Sequence, residues 1–148
     1  MTNDKTKNII LVAILLALFI IGFFLPVLDF SFGVTLNGFE AFVMQGVSVL
    51  SSTSYAEYLW KVFLLITPVL DIVLIFWLLR KQINLIAIVL VGIAVLIGSS
   101  SWIFRYGSLE ILRAGYYYWL ILNLLLVAVN FLAHGKKKLR EDISKGSS

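Results

Sequence analysis

Asp71 stands alone as a formal charge in the apolar stretch from Val62 to Leu79. At a helical rise of ~1.5 Å per residue it lies ~15 Å from Lys61 and ~13 Å from Arg80, close to the middle of any bilayer the stretch crosses. An acid at that depth costs about 2.5–3.5 kcal/mol on insertion scales, so it is expected to face protein, to be paired or protonated, or to mark a proton or ion path. Thr67, one turn earlier, shares its helical face. Pro68 frees the Leu64 carbonyl and supplies a kink. Counterparts occur near the end of the chain, where Trp119, Asn123, Asn130 and His134 recur at spacings of four and seven and so form one stripe. Counted from Gly115, Asn123 is ~12 Å deep and Asn130 ~22 Å, which brackets Asp71 and places it nearer Asn123. The intramembrane polar site is therefore Asp71, Thr67, Asn123 and Asn130. Two roles fit it: a neutral hydrogen bond that fixes helix packing, averaging about 0.6 kcal/mol, or a proton- or ion-coupled carboxylate.

The remaining reactive side chains assemble into nothing catalytic. The chain has no Cys, which excludes disulfides, zinc clusters and thiol chemistry. His134 has no acid within a helical turn, so no metal site and no cofactor are expected. Ser99, Ser100 and Ser101 have no accompanying base, and Glu40, Glu57 and Glu110 share no pattern. No enzyme class finds its minimum constellation, and the chain is read as non-enzymatic. The formal charge of +4 does not indicate nucleic acid, because the basic residues sit mainly at the ends of the apolar stretches.

Those stretches are the elements that must position the polar site. Apolar residues make up 61% of the 148 and charged residues 14%, a balance for which lipid is the solvent. Charge is absent from Ile9 to Leu28, from Gln82 to Phe104 and from Ala114 to Gly135. Each stretch approaches the roughly 20 residues needed to cross ~30 Å of hydrocarbon. Four spans follow, over about 8–25, 59–79, 83–104 and 116–134, with an outer cap at 27–58 and a basic tail at 135–148. The first is too long for a signal peptide and lacks a small-residue cleavage site. Arg80, Lys81 and Gln82 leave room only for a tight helical hairpin. The whole chain reads as one integral membrane domain, an all-α four-helix bundle.

Orientation follows the basic residues. Lys5, Lys7, Arg80, Lys81, Lys136, Lys137, Lys138, Arg140 and Lys145 flank one side, against Lys61, Arg105 and Arg113 on the other. Nine against three places both termini in the cytoplasm, with the protein multi-pass in the plasma (inner) membrane. Lys136, Lys137, Lys138 and Arg140 serve as a topology signal and secondarily attract anionic lipid at about 1 kcal/mol per residue.

On the outer side, Leu28 to Asn37 alternates apolar and polar residues, the period of a strand. It forms either one strand ending at Asn37-Gly38 or a hairpin folding at Gly33, its apolar face (Leu28, Phe30, Phe32) against the bundle. Phe39 to Met44 suits a short amphipathic helix, and Ser48 to Ser54 a polar linker. A partner would meet this cap at Phe30, Phe32, Phe39, Glu40 and Phe42. Tyr55, Tyr58, Trp60, Trp102, Tyr106, Tyr116, Tyr117, Tyr118 and Trp119 gather at the outer span ends as an aromatic belt. Ala87, Ala94, Gly98 and Ser101 form a small-residue stripe for close helix packing.

A span ending in Phe24-Leu25-Pro26, an alternating outer strand, Leu36-Asn37-Gly38-Phe39-Glu40, a hairpin tipped by Arg80-Lys81 and a last helix opening with Gly115-Tyr116-Tyr117-Tyr118-Trp119-Leu120-Ile121 together resemble small bacterial four-helix membrane proteins of unknown function. The layout is also similar to a claudin-type tetraspan, but that family's Trp and paired Cys of the first loop are missing, so junctional adhesion is not implied. Three roles remain: a structural, accessory or partner-binding component acting through its outer cap; an immunity protein against a membrane-active toxin; and a proton- or ion-coupled component using Asp71. The partners implied are the bilayer and another membrane protein or a toxin, with the oligomeric state open. A reporter fused after Lys145 is expected in the cytoplasm, and a Cys at Ser52 to react with an impermeant thiol reagent from outside. Labelling of that Cys only after the membrane is opened would invert the topology.

Overall fold

The computed structural model describes residues 2–30, 33–80, 84–106 and 112–146. The side chains of 2–5, Phe30, 104–106 and 137–146 are not described. Seven elements follow in order: α1 (Thr2–Phe24), β1 (Pro26–Phe30), β2 (Val34–Asn37), α2 (Gly38–Val49), α3 (Tyr55–Trp77), α4 (Leu85–Tyr106) and α5 (Ala114–Gly146). Four helices are long and apolar enough to cross a bilayer, over Thr6–Phe24, Tyr55–Trp77, Leu85–Ile103 and Ala114–Lys136. The protein is a multi-pass membrane protein, a bundle of four packed helices with a short two-stranded hairpin between α1 and α2. The start of α1 and the end of α5 lie at the same end of the bundle, opposite the hairpin and α2, which form the cap.

The bundle core is built from one face of each long helix: Val12, Leu15 and Phe19 of α1, Leu74 and Ile75 of α3, Val95 of α4, Leu122 and Leu126 of α5. The other faces carry Ile14, Ile72, Ile93 and Leu132, all exposed, as helices bathed in hydrocarbon require. Lipid tails are as apolar as Leu, so close backbone approach has to supply much of the attraction between spans. Gly98 shows how. A Cβ at this position would lie 1.9 Å from Thr67 Oγ1, 3.2 Å from Thr67 Cβ and 3.3 Å from the Phe63 carbonyl oxygen. The small residue thus lets α4 settle directly on the polar face of α3. On the other side of α4, a Cβ at Gly92 would come within 3.1 Å of Val127 on α5.

The cap forms because the chain turns twice. β1 and β2 pair antiparallel, joined through Gly33, whose φ of 75° is a left-handed conformation that glycine adopts without Cβ strain. Of the two geometries the alternation allows, the chain takes the hairpin. A register shift between Pro26 and Leu28 breaks the strict period of two, and both Val27 and Leu28 are buried. The Val27 carbonyl accepts the Arg113 N–H at 2.9 Å, and Leu28 forms an isolated antiparallel bridge with Leu112. The hairpin therefore also ties down the segment leading into α5. Leu28, Ala41, Leu64, Trp102, Leu112 and Tyr116 make a second apolar core beneath it.

Asn37 does not turn a strand pair but begins α2. Its side chain accepts from the Glu40 N–H at 2.9 Å, and Glu40 Oε2 accepts from the Asn37 N–H at 2.9 Å, a capping box that satisfies two otherwise orphaned donors. α2 then runs to Val49, so Ser48 is helical and the linker is shorter than the run of Ser and Thr suggests. Gly38 cannot carry a side chain, because a Cβ would meet the Gly22 carbonyl oxygen at 2.8 Å; its N–H donates to the Leu25 carbonyl at 3.1 Å. α5 continues past its span to Gly146, carrying the basic tail as helix.

Gly98→Ala is expected to destabilise the protein by about 1–3 kcal/mol, since overpacking displaces Thr67 and the backbone beneath it. Thermal unfolding in one detergent or nanodisc checks this. A melting temperature equal to that of the parent would mean that α3 and α4 are not in close contact there.

Candidate functional site

α3 and α5 bring the intramembrane polar residues together. Thr67, Asp71, Asn123 and Asn130 are all buried, each on the inward face of its helix. Asn123 turns its amide nitrogen to Asp71, 3.1 Å from Oδ1 and 3.1 Å from Oδ2; the reverse orientation would set the amide oxygen against the carboxyl oxygens. Trp119, one turn earlier on α5, faces the same carboxyl, and its indole N–H can only donate. One helix thus turns an amide donor and an indole towards one carboxyl of another. The depth count that placed Asp71 nearer Asn123 than Asn130 matches this contact.

The other two members of the site serve the backbone. Thr67 donates to the Phe63 carbonyl at 2.8 Å, which leaves its hydroxyl oxygen against Gly98. Asn130 Nδ2 donates to the Leu74 carbonyl at 3.0 Å and to the Leu126 carbonyl at 2.9 Å. It joins α5 to α3 a turn away from Asp71 rather than completing a four-residue cluster. Pro68 does not end α3, which continues to Trp77. Chemically the arrangement holds one acid, screened from lipid and met by the Asn123 amide. The nearby serines are engaged with their own helix: Ser99 donates to the Val95 carbonyl at 2.8 Å and Ser101 to that of Gly98.

The cap residues divide differently from their sequence grouping. Phe39 and Glu40 are exposed, and the Glu40 carboxylate is engaged in the capping box. Phe42 turns inward, its ring 6.4 Å from that of Phe23 in an edge-on contact. Phe32 lies outside the described residues, and of Phe30, Lys137, Lys138 and Arg140 only the backbone is described; Lys136 is exposed.

Three bracing contacts were not legible from residue type. Lys61, counted only as a flanking charge, is 2% exposed; its Nζ donates to the Ser48 carbonyl at 2.6 Å and pairs with Glu57 at 2.7 Å. A cation there meets the negative end of the α2 dipole. Arg113 forms an ion pair with Asp29, and this guanidinium, with help from Thr35, holds the Asp29 carboxyl below its ordinary range. Its contribution is therefore present above the usual carboxylate pKa and is lost only as pH falls through the depressed value. Third, several belt aromatics are internal struts: Tyr116 is fully buried and donates to the Ser99 carbonyl at 3.0 Å, and Tyr118 donates to the Leu18 carbonyl at 2.8 Å. Tyr55 and Tyr58 are exposed, as anchors would be.

No family model, curated protein or solved structure matches the chain.

Asp71→Asn keeps an acceptor for Asn123, so its melting temperature is expected to stay near the parent's. Asp71→Leu strands the buried Asn123 amide and is expected to cost about 1–3 kcal/mol. In proteoliposomes under an imposed proton or sodium gradient, parent and Asp71→Asn are expected to give the same flux. An Asp71-dependent flux would make the carboxyl a transport group instead.

Proposed function

We propose that this protein is a non-enzymatic accessory component of a membrane assembly, and that its cap meets an apolar membrane-embedded segment of another protein. One observation carries the reading. Phe39, Val43, Val47 and Leu50, at intervals of four, four and three residues along α2, are exposed by 58%, 46%, 67% and 91%. They form an uncharged stripe facing away from Ala41 and Gln45, which are buried. Exposed contiguous apolar surface marks a protein or membrane contact.

The bracing of α2 favours a protein over lipid alone. A helix that merely floats on acyl chains needs no fixed rotation about its axis. α2 is held at its start by the capping box and by Gly38 against α1, and at its end by Lys61, so the stripe is presented in one orientation. The engaged serines and the enclosed Asp71 support a role without bond chemistry. A toxin inserting into the bilayer would present the same kind of apolar segment, which keeps immunity within this reading. The claudin-like layout adds nothing about adhesion.

A photo-crosslinking residue at Val43 or Val47 is expected to give one discrete protein adduct in native membranes. Phe39→Ser should abolish the adduct formed from Val47 while leaving abundance unchanged. Adducts with lipid alone would reduce the stripe to an anchor and overturn the reading.

A further inference from the structure

We infer that a cleft on the opposite face of α2 is a binding site for one acyl chain of a phospholipid from the leaflet on the cap side. The cleft is half open: its enclosed part measures about 40 Å³, and about 500 Å³ when the open space at its mouth is included, and it is lined by α1, α2 and α3 with Trp102 of α4 and Trp119 of α5. Among the described residues lining it none is charged, and Gln45 supplies the one amide. That amide is already engaged, accepting from the Ser48 hydroxyl at 3.2 Å. A charged or strongly polar ligand would lose its water here and find no partner.

Depth and size select the occupant. The cleft extends from Gly38 in the cap to Pro68 on α3. Pro68 is ~20 Å along that helix from Tyr55, so the cleft runs through the hydrocarbon of one leaflet, about 15 Å thick. Phe23, Phe42 and Leu65 on its walls are only half-buried, which leaves it partly open where acyl chains are the surrounding solvent. A helix of another protein does not fit: at 10–12 Å across and 5.4 Å per turn, a single turn displaces roughly 500 Å³, far more than the enclosed part of the cleft. A flexible hydrocarbon chain is narrow enough to lodge its end there. That end would meet Trp119, whose indole faces Asp71, so the site joins the leaflet to the surroundings of the buried acid through one side chain.

The experiment uses fluorescence of the full chain with Trp60→Phe and Trp77→Phe, leaving Trp102 and Trp119, both of which line the cleft. Reconstituted into phosphatidylcholine brominated in mid-chain, this protein is expected to be quenched. Ala41→Leu, which fills the cleft from α2, is expected to lose that quenching while remaining folded. Equal quenching in both proteins would assign it to bulk lipid, and absence of quenching would show that no chain enters; either overturns the site. If Ala41→Leu fails to fold, native mass spectrometry of the gently solubilised parent decides. One retained phospholipid supports the site, whereas bare protein or a retained polypeptide overturns it. Loss of the crosslink from the exposed stripe would leave this result untouched, since the two surfaces face opposite ways.

Discussion

Hydrocarbon offers no hydrogen bonds, so every polar group carried into the spans has to find its partner inside the protein. That constraint accounts for most of the specific contacts between the helices. The Thr67 and Ser99 hydroxyls return to the backbone of their own helices. Tyr118 reaches from α5 to the Leu18 carbonyl of α1, and Asn130 to the Leu74 carbonyl of α3. Asp71 is the most demanding case, and Asn123 answers it from the face of α5 that also carries Trp119. Because each bond links a particular turn of one helix to a particular turn of another, together they set the helix registers that uniform Leu and Ile packing would leave free to slide.

The cap obeys a related rule at the interface, where partners are more varied. Its backbone ends are closed by a side-chain box at one terminus of α2 and by a buried ammonium at the other. Arg113 secures the hairpin from both main chain and side chain, through the Val27 carbonyl and Asp29. The consequence is a lid that does not rest on the bundle by apolar contact alone. It is tied to α1, α3 and the start of α5, while the seam it covers between α1 and α3 remains incompletely filled.

Much of this layout was legible in the sequence because lipid imposes simple statistics. Three uncharged runs and a fourth broken only by Asp71, each of sufficient length, marked the spans, and the stripe with spacings of four and seven put Asn123 nearest Asp71 by depth alone. Alternation showed that Leu28 to Asn37 is extended but not where it folds, since Gly33 and Asn37-Gly38 both carry turn chemistry. The Glu three residues after Asn37 was the sign of a helix start that a turn reading passes over. Lys61 was invisible as a brace, because a lysine beside a span reads as topology whether its ammonium points to water or to a carbonyl thirteen residues away. The buried Tyr116 and Trp102 read as headgroup anchors in the sequence for the same reason: composition records that an aromatic lies at the interface, not which way it turns. The cleft had no signal, since it depends on how far apart two helices stand.

The pairing of Asp71 with Asn123 also bears on how the protein is made. The two residues are 52 positions apart (123 − 71), which at about 5–20 residues per second is roughly 3–10 s of synthesis. During that interval α3 carries an acid whose partner has yet to leave the ribosome. It can wait in the bilayer because its apolar neighbours outweigh the penalty, each Leu, Ile, Val or Phe contributing about 0.3–0.6 kcal/mol toward insertion. α5 brings Asn123 and has the lowest mean hydropathy of the four spans, 1.7 against 2.2 to 2.6. The least self-sufficient helix thus arrives last, when the groups that complement its polar face are already in the membrane.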